Sequence, residues 1–99
     1  MAALAMAMPA LAQTTAESAL LEMREAFGRR QPERIGALLS QVRGHPLEPL
    51  ALYWHMRLQL ETAAPEDIRA TLERMAGSYW EDRLRNDWLR VLGKRGDWA

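Results

Sequence analysis

Apolar residues in this chain fall into five stretches with helical spacing, and Gly, Pro and polar residues separate them. The first stretch carries Ala16, Leu20, Met23 and Phe27 on one stripe. Thr14 with Glu17 three residues on predicts a capping box at its start, and Gly28 its end. The second runs from Pro32 to Arg43 and is stopped by His45-Pro46, because proline disfavours a helical residue before it. The third begins at Pro46 or Pro49 and reaches Glu61. Leu50, Trp54 and Leu58 form its stripe, yet Ala51, Leu52, Tyr53, Met56 and Leu60 make it apolar almost all round, the mark of a helix buried on more than one side. The fourth spans Pro65 to Ala76. The fifth is capped by Ser78 with Glu81 at its third position, runs to Leu92, and places Trp80, Leu84, Trp88 and Leu92 on one side. No segment alternates as a strand does, so the predicted class is all-α.

The second and fourth helices share a text. Thirteen residues from Pro32 match thirteen from Pro65 at an offset of 33, with identity at Pro32/Pro65, Glu33/Glu66, Ile35/Ile68, Ala37/Ala70, Leu39/Leu72 and Gly44/Gly77. Each copy has Pro in the first turn, where its missing N–H costs nothing, and Gly just past the end. Leu50, Trp54 and Leu58 also match Leu84, Trp88 and Leu92 at an offset of 34. A self-match near this period predicts antiparallel helix pairs stacked as an α-solenoid, each pair covering its neighbour's apolar face. The alternative is two ordinary amphipathic helices with a shared vocabulary. Helix starts near 15, 32, 47, 65 and 79 place another near Asp97-Trp98-Ala99, so the chain reads as the front piece of a longer superhelix. On that reading helix five is left with an exposed apolar end, and its packing face should make the isolated chain marginal or self-associating.

Composition narrows the function classes. The chain has 99 residues, enough for one small domain. Thirteen basic and thirteen acidic side chains cancel, which removes the electrostatic footprint of a nucleic-acid or polybasic membrane-surface binder. With no cysteine, disulfides, thiolate metal sites and cysteine nucleophiles are excluded. Residues 1–12 are uncharged, small and apolar, and end in Ala10-Leu11-Ala12 before Gln13. This resembles the remnant of a signal peptide whose basic start is missing, and it is too short to span a bilayer. Residues 13–99 then form the helical repeat segment, and the expected location is periplasmic.

Candidate chemistry is sparse. His45 and His55 lack a second ligand at helical spacing, so no metal site is expected. Glu66-Asp67 and Glu81-Asp82 are adjacent pairs that point to different helix sides, and the first pair occupies a helix first turn, where negative charge offsets the dipole. Glu81 with Arg85, and Arg83 with Asp87, are expected as exposed i, i+4 pairs. Trp54, Trp80 and Trp88 could stack on sugars, but at helical spacing they are expected in the core. No phosphate loop, nucleophile elbow or triad order is present. No residue is assigned a catalytic, cofactor-binding or metal-binding role, and no cofactor is expected.

The run Gly44-His45-Pro46-Leu47 through Leu50-Ala51-Leu52-Tyr53-Trp54, and above all Tyr79-Trp80-Glu81-Asp82-Arg83-Leu84-Arg85-Asn86-Asp87-Trp88-Leu89 with Gly93-Lys94-Arg95-Gly96-Asp97-Trp98, carries a resemblance. It is similar to the N-terminal superhelical region of the soluble lytic murein transglycosylases of Gram-negative bacteria, over residues 14–99. The resemblance implies a ring or U of stacked helices that carries a lysozyme-like domain elsewhere. The implied activity of the parent is cleavage between N-acetylmuramic acid and N-acetylglucosamine to a 1,6-anhydro product, with one Glu as acid and then base. That Glu stands in a Glu-Ser context followed by a Gly-Leu-Met-Gln type segment. Here Glu17-Ser18 is followed by Ala19-Leu20-Leu21-Glu22, so the catalytic residue is not carried over.

The expected function is therefore a scaffold fragment of a peptidoglycan-remodelling enzyme. Its partners would be glycan strands, reached through the parent enzyme, and the remaining superhelix and catalytic domain, with no nucleic acid and no membrane span. The rival, from another class, is a helical-repeat adaptor that grips a protein or peptide.

Overall fold

The computed structural model describes the backbone of residues 2–96 and the side chains of residues 15–96. Five α-helices run in order: α1 (Ala2–Gly28), α2 (Pro32–Leu38), α3 (Glu48–Arg57), α4 (Pro65–Arg74) and α5 (Tyr79–Arg95). A short 3₁₀ segment (Leu39–Val42) continues α2. No strand occurs among the described residues, and no described helix is long and apolar enough to cross a membrane.

Local chemistry explains the boundaries and four departures from the expected ones. The first helix does not start at Thr14, because it already runs from Ala2, and an Ala-rich run is the best helix-forming composition. Its backbone is thus helical through residues 2–12, while their side chains, like Asp97-Trp98-Ala99, lie outside the described residues. The second helix tightens to 3₁₀ after Leu38, a common way of satisfying terminal carbonyls. The third stops at Arg57, and turns carry the chain to Thr62 through Gln59 N–H to Met56 O and Thr62 N–H to Gln59 O. The fifth passes through Gly93 and ends at Arg95, where Gly96 takes the left-handed conformation, φ 74°.

Two glycine turns build the helix starts. Gly44 (φ 78°) and Gly77 (φ 83°) are both left-handed. The Gly77 amide donates to Glu81 Oε1 at 2.9 Å, and the Gly44 amide donates to Glu48 Oε1 at 3.1 Å. Ser78 Oγ accepts from the Glu81 amide at 3.2 Å, so the expected cap at α5 forms, with Glu81 reaching one residue further back than a capping box requires. The Gly77 amide first, and then the Arg85 guanidinium, hold the Glu81 carboxyl below its ordinary value.

The core has two adjoining parts. One joins α1, α2, the 3₁₀ turn and α3 through Ala19, Met23, Ala26, Ile35, Val42 and Ala51. The other joins α3, α4 and α5 through Leu52, Met56, Ile68, Leu72, Met75 and Leu84. Leu39 and Trp54 pack against both. Helix α3 lies between α1 and α5, which is why it is apolar almost all round. Ala19 and Ala26 are nearly inaccessible and let α1 approach closely, a role its Leu20–Met23–Phe27 stripe does not reveal.

The apolar stripe of α5 faces inward. Leu84 is fully buried, Trp80, Trp88 and Leu92 are half-buried, and Trp80 and Trp88 pack on the core. The stripe is thus partly covered within the chain, with Leu84 alone fully enclosed. Outward, α5 presents Asp82, Arg85, Asn86 and Arg90 beside two exposed apolar residues, Tyr79 and Leu89.

Candidate functional site

The end of α1 sets up the most distinctive surface. Gly28 ends the helix as expected, but the left-handed residue that turns the chain is Arg30, at φ 56°. A side chain there costs about 1 kcal/mol relative to glycine. The turn is held by the Arg30 amide donating to Phe27 O at 3.1 Å and the Gln31 amide donating to Ala26 O at 2.9 Å. It carries the Arg30 side chain to the rim of a cleft, with no hydrogen-bond or ion-pair partner among the described residues.

That cleft, of about 560 Å³, lies over α3, between the C-terminal end of α1 and the first turns of α5. Its apolar lining is Phe27, Trp54, Leu58 and the rings of Tyr53 and Trp80. The rings brace one another: Phe27 and Trp54 stand 6.1 Å apart between centroids, Tyr53 and Trp80 5.1 Å. The polar lining is Arg30, Arg57 and Arg83, and no carboxylate lines it.

Behind the cleft stands Asp87, 8% exposed. The Tyr53 hydroxyl donates to Asp87 Oδ2 at 2.6 Å, and Arg57 Nε lies 3.3 Å from the same oxygen. This corrects the expected exposed pair with Arg83: Asp87 turns inward across the α3–α5 contact, and Arg83 instead donates to the Tyr79 hydroxyl at 3.3 Å. Burial first, then the bond to Asp87, raises Tyr53 above the ordinary phenol value. Asp87 thus anchors two cleft residues, one aromatic and one cationic.

The remaining polar groups are accounted for locally. Glu81 and Arg85 pair at 2.8 Å as expected, and Arg74 pairs with Glu48 at 2.9 Å. His45 Nδ1 accepts the Leu47 amide at 3.0 Å and so belongs to the turn before α3. His55 is half-buried against α2, where a Cβ on Gly36 would stand 3.0 Å from its Nε2, and burial lowers its pKa from 6.5. Glu17 and Ser18 lie exposed on α1. Trp88 packs under the Arg69 guanidinium, 5.6 Å from the ring centroid, and does not line the cleft. A second hollow between α1 and α2 is lined by Glu22, Glu25, Glu33, Arg29 and Arg34, whose charges largely cancel through the Arg34–Glu22 and Arg29–Glu25 pairs. No three His, Asp or Glu side chains among the described residues converge as a metal site would need.

Sequence reasoning missed the cleft because its three arginines come from a turn and two different helices. The one local signal was Arg29-Arg30 immediately after a helix-ending glycine. Compared with family models, curated proteins and solved structures, the chain matches none.

Proposed function

We propose that this chain is a non-catalytic helical-repeat scaffold, a segment of a periplasmic peptidoglycan lytic transglycosylase that positions glycan strands. The observation that carries the repeat is the doubled cap. Gly44 with Glu48 and Gly77 with Glu81 make the same bond from the same left-handed backbone, 33 residues apart. Two further correspondences support that register. Gly36 faces His55 between α2 and α3, and the residues 33 further on, Arg69 and Trp88, face each other between α4 and α5. Ile35 and Ile68 are both buried, as are Val42 and Met75. Caps and contacts that recur at one offset favour the repeat over a chance similarity of two amphipathic helices.

The link to peptidoglycan rests on the residue resemblance over 14–99, and the location on Ala10-Leu11-Ala12 before Gln13. The non-catalytic reading is supported by Asp87. Glycosidic cleavage needs a carboxyl free to deliver a proton, and this buried one accepts from Tyr53 and faces Arg57. Sedimentation with purified sacculi tests the reading, together with chromatography of the supernatant. Retention without release of anhydro-muropeptides is expected. Muropeptide release by this chain, or no retention, overturns it. The adaptor reading is favoured by one feature, the charged aromatic cleft, which suits a protein or peptide as well as a sugar. Capture of one protein partner in place of sacculi would select it.

A further inference from the structure

The cleft between α1, α3 and α5 has a composition that helix packing alone does not require. Arg30 occupies a backbone conformation that glycine would adopt without strain, and its guanidinium meets no partner among the described residues. Strain of this kind persists where the surroundings over-determine it, and it points from the outlier to a use. Arg83 lines the same cleft, and its hydrogen bond is to a neutral hydroxyl, Tyr79. Arg57 completes the set and is fixed by Asp87 through Nε.

Three cations without a carboxylate in the lining, beside braced rings of Tyr53, Trp54 and Trp80, define the ligand by complementarity. Guanidinium groups match carboxylate in planar geometry and charge. The ring surfaces take a flat apolar body, and a cleft of about 560 Å³ has room for one ring and its acid. We propose that this cleft binds a carboxylate carried on a flat apolar group, held by Arg30, Arg57 and Arg83, which line it together with the rings. Asp87 is then a positioning residue. It orients Tyr53 and Arg57 and touches no ligand. The same chemistry occurs in a free aryl acid and at the C-terminus of a peptide ending in phenylalanine.

The probes are 3-phenylpropionate, its amide, and N-acetyl-Ala-Phe with a free or amidated C-terminus, titrated into the intact chain. Tryptophan fluorescence, to which Trp54 and Trp80 in the cleft contribute, reports binding, and calorimetry gives the constant. The acids are expected to bind saturably and the matching amides at least about tenfold more weakly, the loss of one charge-assisted contact. A peptide acid that binds tighter than 3-phenylpropionate identifies a chain terminus as the source. Equal constants identify the free acid. Arg30→Gln and Arg83→Gln should each weaken the acid by about tenfold and leave the amide unmoved. Arg90→Gln, away from the cleft, should change neither. Arg30 is exposed and makes no hydrogen bond or ion pair among the described residues, so its variant tests the cleft even if Arg83→Gln disturbs α5. Equal binding of acid and amide, no saturation, or the same loss in Arg90→Gln as in Arg30→Gln overturns the proposal. Such a failure leaves the scaffold reading standing, because that reading rests on the caps.

Discussion

Removing one oxygen at Tyr53 tests how the α3–α5 contact is held. Tyr53→Phe keeps the ring that packs on Trp80 and deletes the hydroxyl that donates to Asp87 at 2.6 Å. Asp87 is 8% exposed, so water replaces that donor poorly, and Arg57 at 3.3 Å remains the other partner. A hydrogen bond to a charged group contributes about 1.5–3 kcal/mol, and the retained Arg57 places the loss near the lower end. In a domain of this size each kcal/mol moves the melting temperature by roughly 4–8 °C, so a fall of about 6–12 °C is expected. Thermal unfolding followed by circular dichroism at 222 nm measures the fall, and urea unfolding gives the free energy. Asp87→Asn and the double variant close a cycle, in which the coupling should exceed about 1 kcal/mol because the two groups touch. Purely additive effects, or a Tyr53→Phe loss under about 0.5 kcal/mol, would refute the reasoning. The same bond carries a pH signature. The native phenol titrates above its ordinary value of 10.0, so its contribution is full below pH 10.0 and is lost as pH climbs through the native value. Tyr53→Phe should flatten that alkaline decline.

Leu72, 3% exposed, should cost about 2–5 kcal/mol on truncation to Ala, and Leu39, half-buried between the two core parts, distinctly less. Denaturant midpoints of the two variants give the comparison, and equal losses would contradict the different burial. His55 is buried in its neutral form, so its folded value lies below 6.5, and the stability it contributes is present above pH 6.5 and lost as pH falls through the folded value. Melting curves between pH 8 and pH 5 should show an acid decline that His55→Gln reduces, and an unchanged slope would refute it. Given a basic start upstream, the chain should be exported and trimmed to begin at Gln13, which N-terminal sequencing of the periplasmic product reads directly.

Much of the fold was legible because it is written in local terms. The three- and four-residue spacing of Ala16, Leu20, Met23 and Phe27, the prolines opening α2 and α4, and the Ser78–Glu81 cap each need only a few consecutive residues to be read. The candidate site was not legible, because it depends on how α1 and α5 each pack against α3. Nothing near Asp87 in sequence indicates that Tyr53 and Arg57, thirty or more residues away, will turn it inward. Arg30 was hidden for another reason: Gly28 looked like the residue needed at the turn, and the chain placed the left-handed conformation two positions later. The glycine caps stand 33 residues apart and Trp54 and Trp88 stand 34 apart, and the proposed repeat takes its register from the caps.

That register is the claim on which the scaffold reading stands, and the two glycine amides report it. In a proton–nitrogen NMR spectrum of the chain, Gly44 and Gly77 should both show displaced, exchange-protected amides, because each donates to a glutamate carboxylate four residues on. Glu48→Gln should move the Gly44 amide and leave Gly77 in place, Glu81→Gln should do the reverse, and the two shifts should agree in sign and size. A Gly amide that ignores its own glutamate, or one cap present without the other, would contradict the repeat.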